Sequence, residues 1–452
     1  MSVLKTIPFF VVSFGIAFSA LAKITPAAKE RKLYVGSNST EAILEFKGLV
    51  EYVSSKGTAP QASTMKKLVL EQIEYMIGPM SLTEITAVPK GDHVISNIKV
   101  VKNEGKKFFI EYNYKGTAVV ENGPKNSYDL VLPINPRTIY EKSFVGDVSP
   151  CTDDHYQSEG DFWYFWSPER EGCKLKAGVD YNIVKAKMTR IENTKSSYPE
   201  YHNLVDENGK ITIHVLFGLD DPEKGRNPLK SSDINADNYR IFRNYLLKNG
   251  FKAKTWKESE VKAIAKRLDG ATPFVETLSK GAIEYRFFFG PSGIDEDALG
   301  FHWFYKDAIE NASIMVYGGH SGLGGHLDLD SIEYNLGEPI VFNKKRYQIF
   351  FFDSCTSYKY YNTNYFERKA SSTDPTGTKK LDIFTNGLST YFHVMPDSNA
   401  ALAKAIDKAV TFAETGKGFV SYQTLAKEID SDNLFGVNGD EDNEAPKAFK
   451  VK

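Results

Sequence analysis

Two short apolar runs, each ending in a residue type that can do chemistry, decide the predicted fold. Segment 313–322 reads SIMVYGGHSG, and segment 347–357 reads YQIFFFDSCTS. Short apolar runs that are bounded by turn residues and rich in β-branched or aromatic side chains are typical of strands covered on both faces of a parallel sheet. In open α/β sheets the functional groups lie just beyond the carboxyl ends of such strands. The pattern therefore predicts that His320 and Cys355 lie at one edge of a sheet.

A thiol and an imidazole at the same sheet edge indicate nucleophilic catalysis. Cysteine becomes a useful nucleophile when a neighbouring imidazole or local field favours its thiolate, and Cys355 is expected to hold more thiolate than a free cysteine. The alternative is that Cys355 is a buried free cysteine that packs as a small hydrophobic residue. Its position at a strand end, after an acid and downstream of Gly-Gly-His, favours the catalytic interpretation.

The two motifs together resemble those of the caspase-like cysteine peptidases, which include caspases, metacaspases, legumains, gingipains and clostripains. The sequence Asp353-Ser354-Cys355, with Ser357 after it, is most similar to the metacaspase pattern around the nucleophile. The resemblance covers the C-terminal half of the chain. It implies that Cys355 is the nucleophile and that His320 transfers the proton.

The resemblance also implies an oxyanion site near Ser321 and Gly322. In the family a glycine usually follows the catalytic histidine directly and its N–H contributes to that site. Here Ser321 follows His320, and Gly322 comes one position later. Backbone N–H groups at Cys355 and near Ser321-Gly322 are therefore the expected donors.

Asp353 carries the expected substrate preference. Metacaspases have an acid two positions before the nucleophile, lining the pocket for the residue before the cut bond. Positions two apart on a strand point the same way, and a carboxylate there favours Arg or Lys through a charge-assisted hydrogen bond. The alternative is that Asp353 only accepts hydrogen bonds that close a loop.

The order of predicted elements divides the chain into two domains. Residues 205–452 are predicted to form an α/β caspase-like sandwich with a mostly parallel sheet, and residues 23–200 a β-rich α+β domain. The polar stretch 191–210 is the predicted boundary. Before that boundary, segment 63–77 has helical spacing, and segments 94–102, 107–114, 117–121, 128–133 and 179–189 have strand character.

The three cysteines predict one disulfide and one free thiol. In an exported protein, Cys151 and Cys173 are plausible disulfide partners, which leaves Cys355 unpaired. Between them the segment 161–166 reads DFWYFW. It is predicted as a core strand, with an exposed binding surface as the alternative.

Residues 1–22 have the features of a secretion signal. Lys5 supplies a positive charge, residues 7–21 form a short apolar core, and Ala20-Leu21-Ala22 is a cleavage pattern. The apolar run is too short to favour a membrane span. The sequence therefore predicts an exported protein, periplasmic or secreted, without a membrane-spanning segment.

Together these patterns predict an exported cysteine endopeptidase that acts on protein or peptide substrates, cuts after Arg or Lys, and needs no cofactor or metal. The net charge of −2 gives no reason to expect nucleic-acid binding. One alternative is a catalytically inactive caspase-like module that binds proteins. Another is a metal-dependent hydrolase built on His320, His326, Asp328 and Asp330, in a segment 327–342 that is otherwise predicted as a solvated hairpin.

Overall fold

The computed structural model describes residues 34–83, 93–191, 196–293, 298–429 and 433–452. The chain divides into two units, Met1–Arg31 and Lys32–Lys452. The first unit and the predicted signal peptide lie outside the described residues. Among the described residues, no helix has both the length and the apolar character needed to cross a membrane.

The regular elements of the described ranges follow in chain order. The strands are β1 (Val35–Gly36), β2 (Ser39–Val53), β3 (His93–Glu104), β4 (Lys107–Glu121), β5 (Ser127–Pro133), β6 (Tyr181–Ile191), β7 (Ile211–Leu219), β8 (Lys252–Thr255), β9 (Phe274–Lys280), β10 (Ile283–Pro291), β11 (Ile314–Gly318), β12 (Gln348–Asp353), β13 (Leu381–Thr385) and β14 (Gly436–Asn438). The helices are α1 (Ala62–Glu74), α2 (Ile77–Ser81), α3 (Ile139–Lys142), α4 (Phe162–Phe165), α5 (Ile234–Lys248), α6 (Glu258–Ile264), α7 (Leu299–Asn311), α8 (Leu329–Leu336), α9 (Ser357–Tyr360), α10 (Thr363–Lys369), α11 (Met395–Thr411) and α12 (Tyr422–Ile429).

The larger sheet has the strand order β1-β14-β13-β12-β11-β7-β10-β9-β8 within the described residues. Its central strands, from β13 to β10, pair in parallel, whereas the strands at both edges pair antiparallel. The sheet is therefore mixed, and the predicted mostly parallel sheet is wrong at the edges. At one edge only Gly281 and Ala282 connect β9 to β10, and so short a connection permits only an antiparallel pair.

Helices cover both faces of this sheet, as an α/β sandwich requires. Successive side chains of a strand point to opposite faces: Val215 and Phe217 pack against α5, α11 and α12, whereas Leu216 packs on the side of α7, α8 and α10. Residues 348–353 of β12 are all buried. The apolar runs that predicted two-sided burial therefore lie in the middle of the sandwich.

The smaller sheet is antiparallel, with the described strand order β3-β4-β2-β6-β5. Side chains of α1, including Leu68, Val69 and Ile73, pack on one face together with the strand residues Leu44 and Ile110. The central strand, β2, lies in a stretch whose sequence pattern gave no strand prediction. Segments 107–114 and 117–121 were predicted separately but form the single strand β4.

The predicted disulfide between Cys151 and Cys173 is present. The residues 151–173 that it closes are called the stapled segment below. The predicted strand at 161–166 is wrong, because these residues form the short helix α4, in which Trp166 N–H bonds to the Phe162 carbonyl at 3.1 Å. The Trp166 indole also donates to the Tyr75 carbonyl at 2.6 Å, a tertiary contact that outweighs the strand preference of aromatic residues.

One further prediction near the site is corrected. The predicted hairpin at 327–342 is wrong, since its first half forms α8 and residues 339–342 form no strand. Helix α8 begins with Asp328 accepting a hydrogen bond from Ser331 N–H at 2.9 Å. Gly337 ends this helix in the left-handed conformation, at φ +71°.

We expect the stapled segment to contribute measurably to stability. Replacing Cys151 and Cys173 by serine should lower the free energy of unfolding by about 2–4 kcal/mol, because the unfolded chain gains freedom. Denaturant titration of the double variant against wild type measures this difference. Thiol titration of the denatured, unreduced wild type should find one thiol, and three thiols would contradict the pairing.

Candidate active site

The register of three parallel strands brings the two predicted catalytic residues to the same edge. Gly318, the last residue of β11, lies opposite Phe217 on β7 and opposite Asp353 on β12. The carboxyl ends of the three strands therefore lie at the same edge of the sheet. His320 follows β11 and Cys355 follows β12, as the sequence pattern predicts.

An acid that was not predicted follows the third strand. Asp220 comes directly after β7, and its Oδ1 lies 2.5 Å from His320 Nε2. When one imidazole nitrogen donates to a carboxylate, the ring and its tautomer are held and the other nitrogen can act as the base. The His320 side chain is 45% exposed, so its ring remains accessible.

The start of α5 fixes Asp220. The buried Asp233 caps this helix by accepting from the backbone N–H groups of Asn235 and Ala236. Its second oxygen accepts from the N–H groups of Asp220 and Asp221, at 3.0 Å and 2.8 Å. Sequence reasoning treated this region as a polar loop, although an acid immediately after a buried strand was a signal.

Tyrosine and phenylalanine side chains hold His320 on its other sides. The Tyr317 hydroxyl donates to the His320 carbonyl at 2.6 Å. The Phe392 ring meets the imidazole edge to face, with ring centres 4.9 Å apart. Phe392 belongs to the connection after β13, a part of the site that sequence reasoning missed.

That connection, residues 386–392, also contacts the cysteine turn. The Cys355 sulfur lies 3.9 Å from the Thr390 carbonyl oxygen, and Thr356 N–H donates to the Leu388 carbonyl at 2.9 Å. Thr356 has φ +50°, a conformation that a β-branched residue rarely adopts. Strain of this kind persists only where the surroundings enforce it, and here it lies next to the predicted nucleophile.

The surroundings of Cys355 favour its neutral thiol over the thiolate. Although the residue is partly exposed, protein atoms surround most of its sulfur, and this burial raises the pKa of Cys355 above the ordinary value. No hydrogen bond joins the sulfur to the His320 ring, two groups that the structure describes. The direction of this shift is opposite to the expected enrichment of thiolate.

Asp353 lies beneath the cysteine turn and is 2% exposed. Its Oδ1 accepts from Thr390 Oγ1 at 2.8 Å and from Asn386 Nδ2 at 3.1 Å. Its Oδ2 is buried and has no hydrogen-bond partner among the described residues. Burial raises the pKa of Asp353 to about 6. The two bonds to Oδ1 join the cysteine turn to residues 386–390, which is the loop-closing role given as the alternative for Asp353.

The predicted oxyanion residues form a tight turn after His320. Gly322 has φ +54°, and a Cβ on it would lie 2.1 Å from His326 Cδ2. The carbonyl of the buried Ser321 accepts from the N–H groups of Gly324 and His326 and from the Tyr361 hydroxyl. His326 therefore supports this turn, and only glycine fits at position 322.

The acids of the metal alternative have other roles. Asp328 caps α8, and Asp330 pairs with Arg368 at 2.6 Å. Within the described ranges, no group of three or more His, Cys, Asp or Glu residues is placed to hold a metal ion. The geometry gives the metal-hydrolase interpretation no support.

The site thus contains a partly buried thiol, an accessible imidazole oriented by a carboxylate, and a glycine turn. This set suits acyl transfer through a thiol nucleophile. No family model, curated protein or solved structure matches the chain.

Alkylation of Cys355 should follow the raised thiol pKa. Iodoacetamide reacts with the thiolate, so the rate should rise with pH at values above those of a free cysteine, whose pKa is about 8.5. Stopped-time labelling of the unreduced protein across pH measures this, with Cys355→Ala as the unlabelled control. A rate already maximal at neutral pH would contradict the burial argument.

Proposed function

We propose that this protein is an exported cysteine endopeptidase of the caspase-like type, which cuts protein or peptide substrates after Arg or Lys. The observation that carries the proposal is the arrangement of Asp220, His320 and Cys355 after three neighbouring parallel strands. Export is supported by the signal-like N-terminus and by the Cys151–Cys173 disulfide, since disulfides persist mainly in oxidising compartments.

His320 and Cys355 would share the proton transfers. As the sulfur attacks the substrate carbonyl carbon, His320 Nδ1 accepts the thiol proton, and Asp220 stabilises the resulting imidazolium. The carbonyl oxygen gains negative charge, which N–H groups at Cys355 and near Ser321-Gly322 stabilise. The amine leaves with the proton from His320, and water then hydrolyses the thioester with His320 as base.

Asp353 supports the preference for a basic residue. Its unpartnered Oδ2 can accept a charge-assisted hydrogen bond from an Arg or Lys side chain of the substrate. This bond would give the buried oxygen the hydrogen-bond partner that it lacks. It should therefore stabilise the complex more than the same bond would at the protein surface.

A second candidate is a catalytically inactive module of the same fold that binds proteins. The raised pKa of Cys355 and the absence of a sulfur–imidazole hydrogen bond favour it. The two candidates differ in one result, since the module would bind peptides without turnover.

Variants of the histidine and its acid test the catalytic assignment. Cys355→Ala should abolish peptide cleavage, and His320→Ala should lower kcat by about 100-fold or more because proton transfer is lost. Asp220→Asn should also lower kcat strongly, since the tautomer is no longer held.

Matched controls lie beside both residues. Asp221→Asn changes an adjacent acid that bonds Glu223 N–H instead of His320, and His326→Ala removes a nearby imidazole. Both should retain much more activity on arginine peptides. If His326→Ala or Asp221→Asn were the more damaging change, the assignment of base and orienting acid would be wrong.

Asp353→Asn should lose the preference for basic residues. A charge-assisted bond contributes about 1.5–3 kcal/mol, so kcat/KM for an arginine peptide should fall about 10- to 100-fold, with little change for a neutral peptide. The wild-type preference should also fall as pH drops through about 6, because the carboxylate then becomes protonated. Paired peptides that differ only before the cut bond provide the measurement. A preference that survives in Asp353→Asn would rule out this role.

A further inference from the structure

The stapled segment places aromatic side chains of the N-terminal half beside the nucleophile. The hydroxyl of the buried Tyr164 lies 2.5 Å from Thr356 Oγ1, in the residue after Cys355. Burial, followed by the nearby Cys355 sulfur, raises the pKa of Tyr156 to about 12. In addition, the Lys359 ammonium lies 4.4 Å from the centre of the Trp163 ring. Two contacts, Tyr164 with Thr356 and Trp163 with Lys359, therefore tie this segment to the cysteine turn and the helix after it.

Side chains of this segment pack in one apolar cluster with Ile77 and Leu323. We name five members of the cluster the aromatic platform: Tyr156, Trp163, Tyr164, Phe165 and Leu323. Tyr156 stacks on Phe165 with ring centres 4.9 Å apart and planes 15° apart. It also meets Tyr164 at 5.5 Å. Leu323 packs with the same cluster and directly follows Gly322 of the predicted oxyanion turn. The platform therefore reaches both the cysteine turn and the turn after His320.

The platform is anchored from behind and cannot act as a hinged lid. Phe162 and Trp166, on the opposite side of α4, are fully buried in a cluster with Cys151. The Trp166 indole bonds to the Tyr75 carbonyl, and the disulfide closes the segment at its ends. Tyr156, Trp163, Phe165 and Leu323, in contrast, are only partly buried. A rigid aromatic surface that remains half exposed next to a nucleophile is suited to contact what the nucleophile attacks.

We propose that the aromatic platform is a wall of the substrate cleft and selects peptides with an aromatic or large aliphatic side chain close to the cut bond. The peptide identity of the ligand rests on the proposed function. The preference for an apolar side chain rests on the platform alone. Contact between two aromatic side chains should favour such peptides about threefold to tenfold.

Two readouts test the platform, and only one needs catalysis. The first is the ratio of kcat/KM for paired arginine peptides that carry Phe or Ala at each position next to the Arg. The second is the ratio of alkylation rates of Cys355 by N-phenylmaleimide and N-methylmaleimide, each divided by its rate with a free cysteine peptide. In both ratios, the wild-type protein should favour the peptide or reagent that carries the aromatic group.

The variants test whether the aromatic rings themselves cause the preference. Tyr156→Ala and Phe165→Ala should lose the preference, whereas Tyr156→Phe should keep it because the ring remains. Phe109→Ala is the matched control, since Phe109 is a half-buried ring on β4 with no place in the platform. It should keep both ratios at their wild-type values.

The outcomes distinguish the two proposals. Peptide cleavage without an aromatic preference, or a preference unchanged in Tyr156→Ala and Phe165→Ala, would overturn the platform and leave the peptidase standing. If no peptide is cut, the peptidase fails. The platform then stands only if Cys355 still favours N-phenylmaleimide and Tyr156→Ala removes that preference.

Discussion

The parallel pairing of β11 with both β7 and β12 is the constraint on which the site depends. Asp220 and His320 lie 100 positions apart in the chain, and they meet because Gly318 is in register with Phe217. On the other side of β11, the same Gly318 is in register with Asp353 of β12. A shift of one residue along either pair would move the functional side chains and turn buried side chains to the wrong face. The apolar packing on both faces of the sheet therefore fixes the positions of Asp220, His320 and Cys355.

The site combines an exposed imidazole, a partly buried thiol and a buried carboxyl group. Burial raises the pKa of both Cys355 and Asp353, and Thr390 contacts both side chains. In the proposed function, a substrate cation beside Asp353 would favour its ionised form and would also offset the charge of a nearby thiolate. Substrate binding and activation of the thiol would then be coupled through one small region. In the proposed function, this coupling would favour the thiolate of Cys355 only when a substrate is bound.

The sequence predicted the local parts of this arrangement and missed the parts that depend on tertiary contacts. His320 and Cys355 were predictable because each ends a short apolar run, and the disulfide because an exported chain with three cysteines leaves one unpaired. Asp220 could not be paired with His320 from sequence, since strand order decides their meeting. Residues 161–166 were predicted as a strand because their aromatic side chains favour strands, whereas the Trp166 contact with Tyr75 holds them as a turn of helix. The α/β character of the larger sheet was recognisable, but its antiparallel edges were not, because β1 joins it from the other end of the chain and the strand β9 was not predicted.

The most direct test of the central claim is to trap the nucleophile with a substrate-like reagent. A peptidyl acyloxymethyl ketone that ends in arginine loses its carboxylate when a catalytic thiolate attacks the methylene carbon. Peptide mapping by mass spectrometry after incubation at neutral pH should find a single adduct, on Cys355. An adduct on any other residue, or no adduct at all, would contradict the assignment of Cys355 as an active nucleophile beside His320.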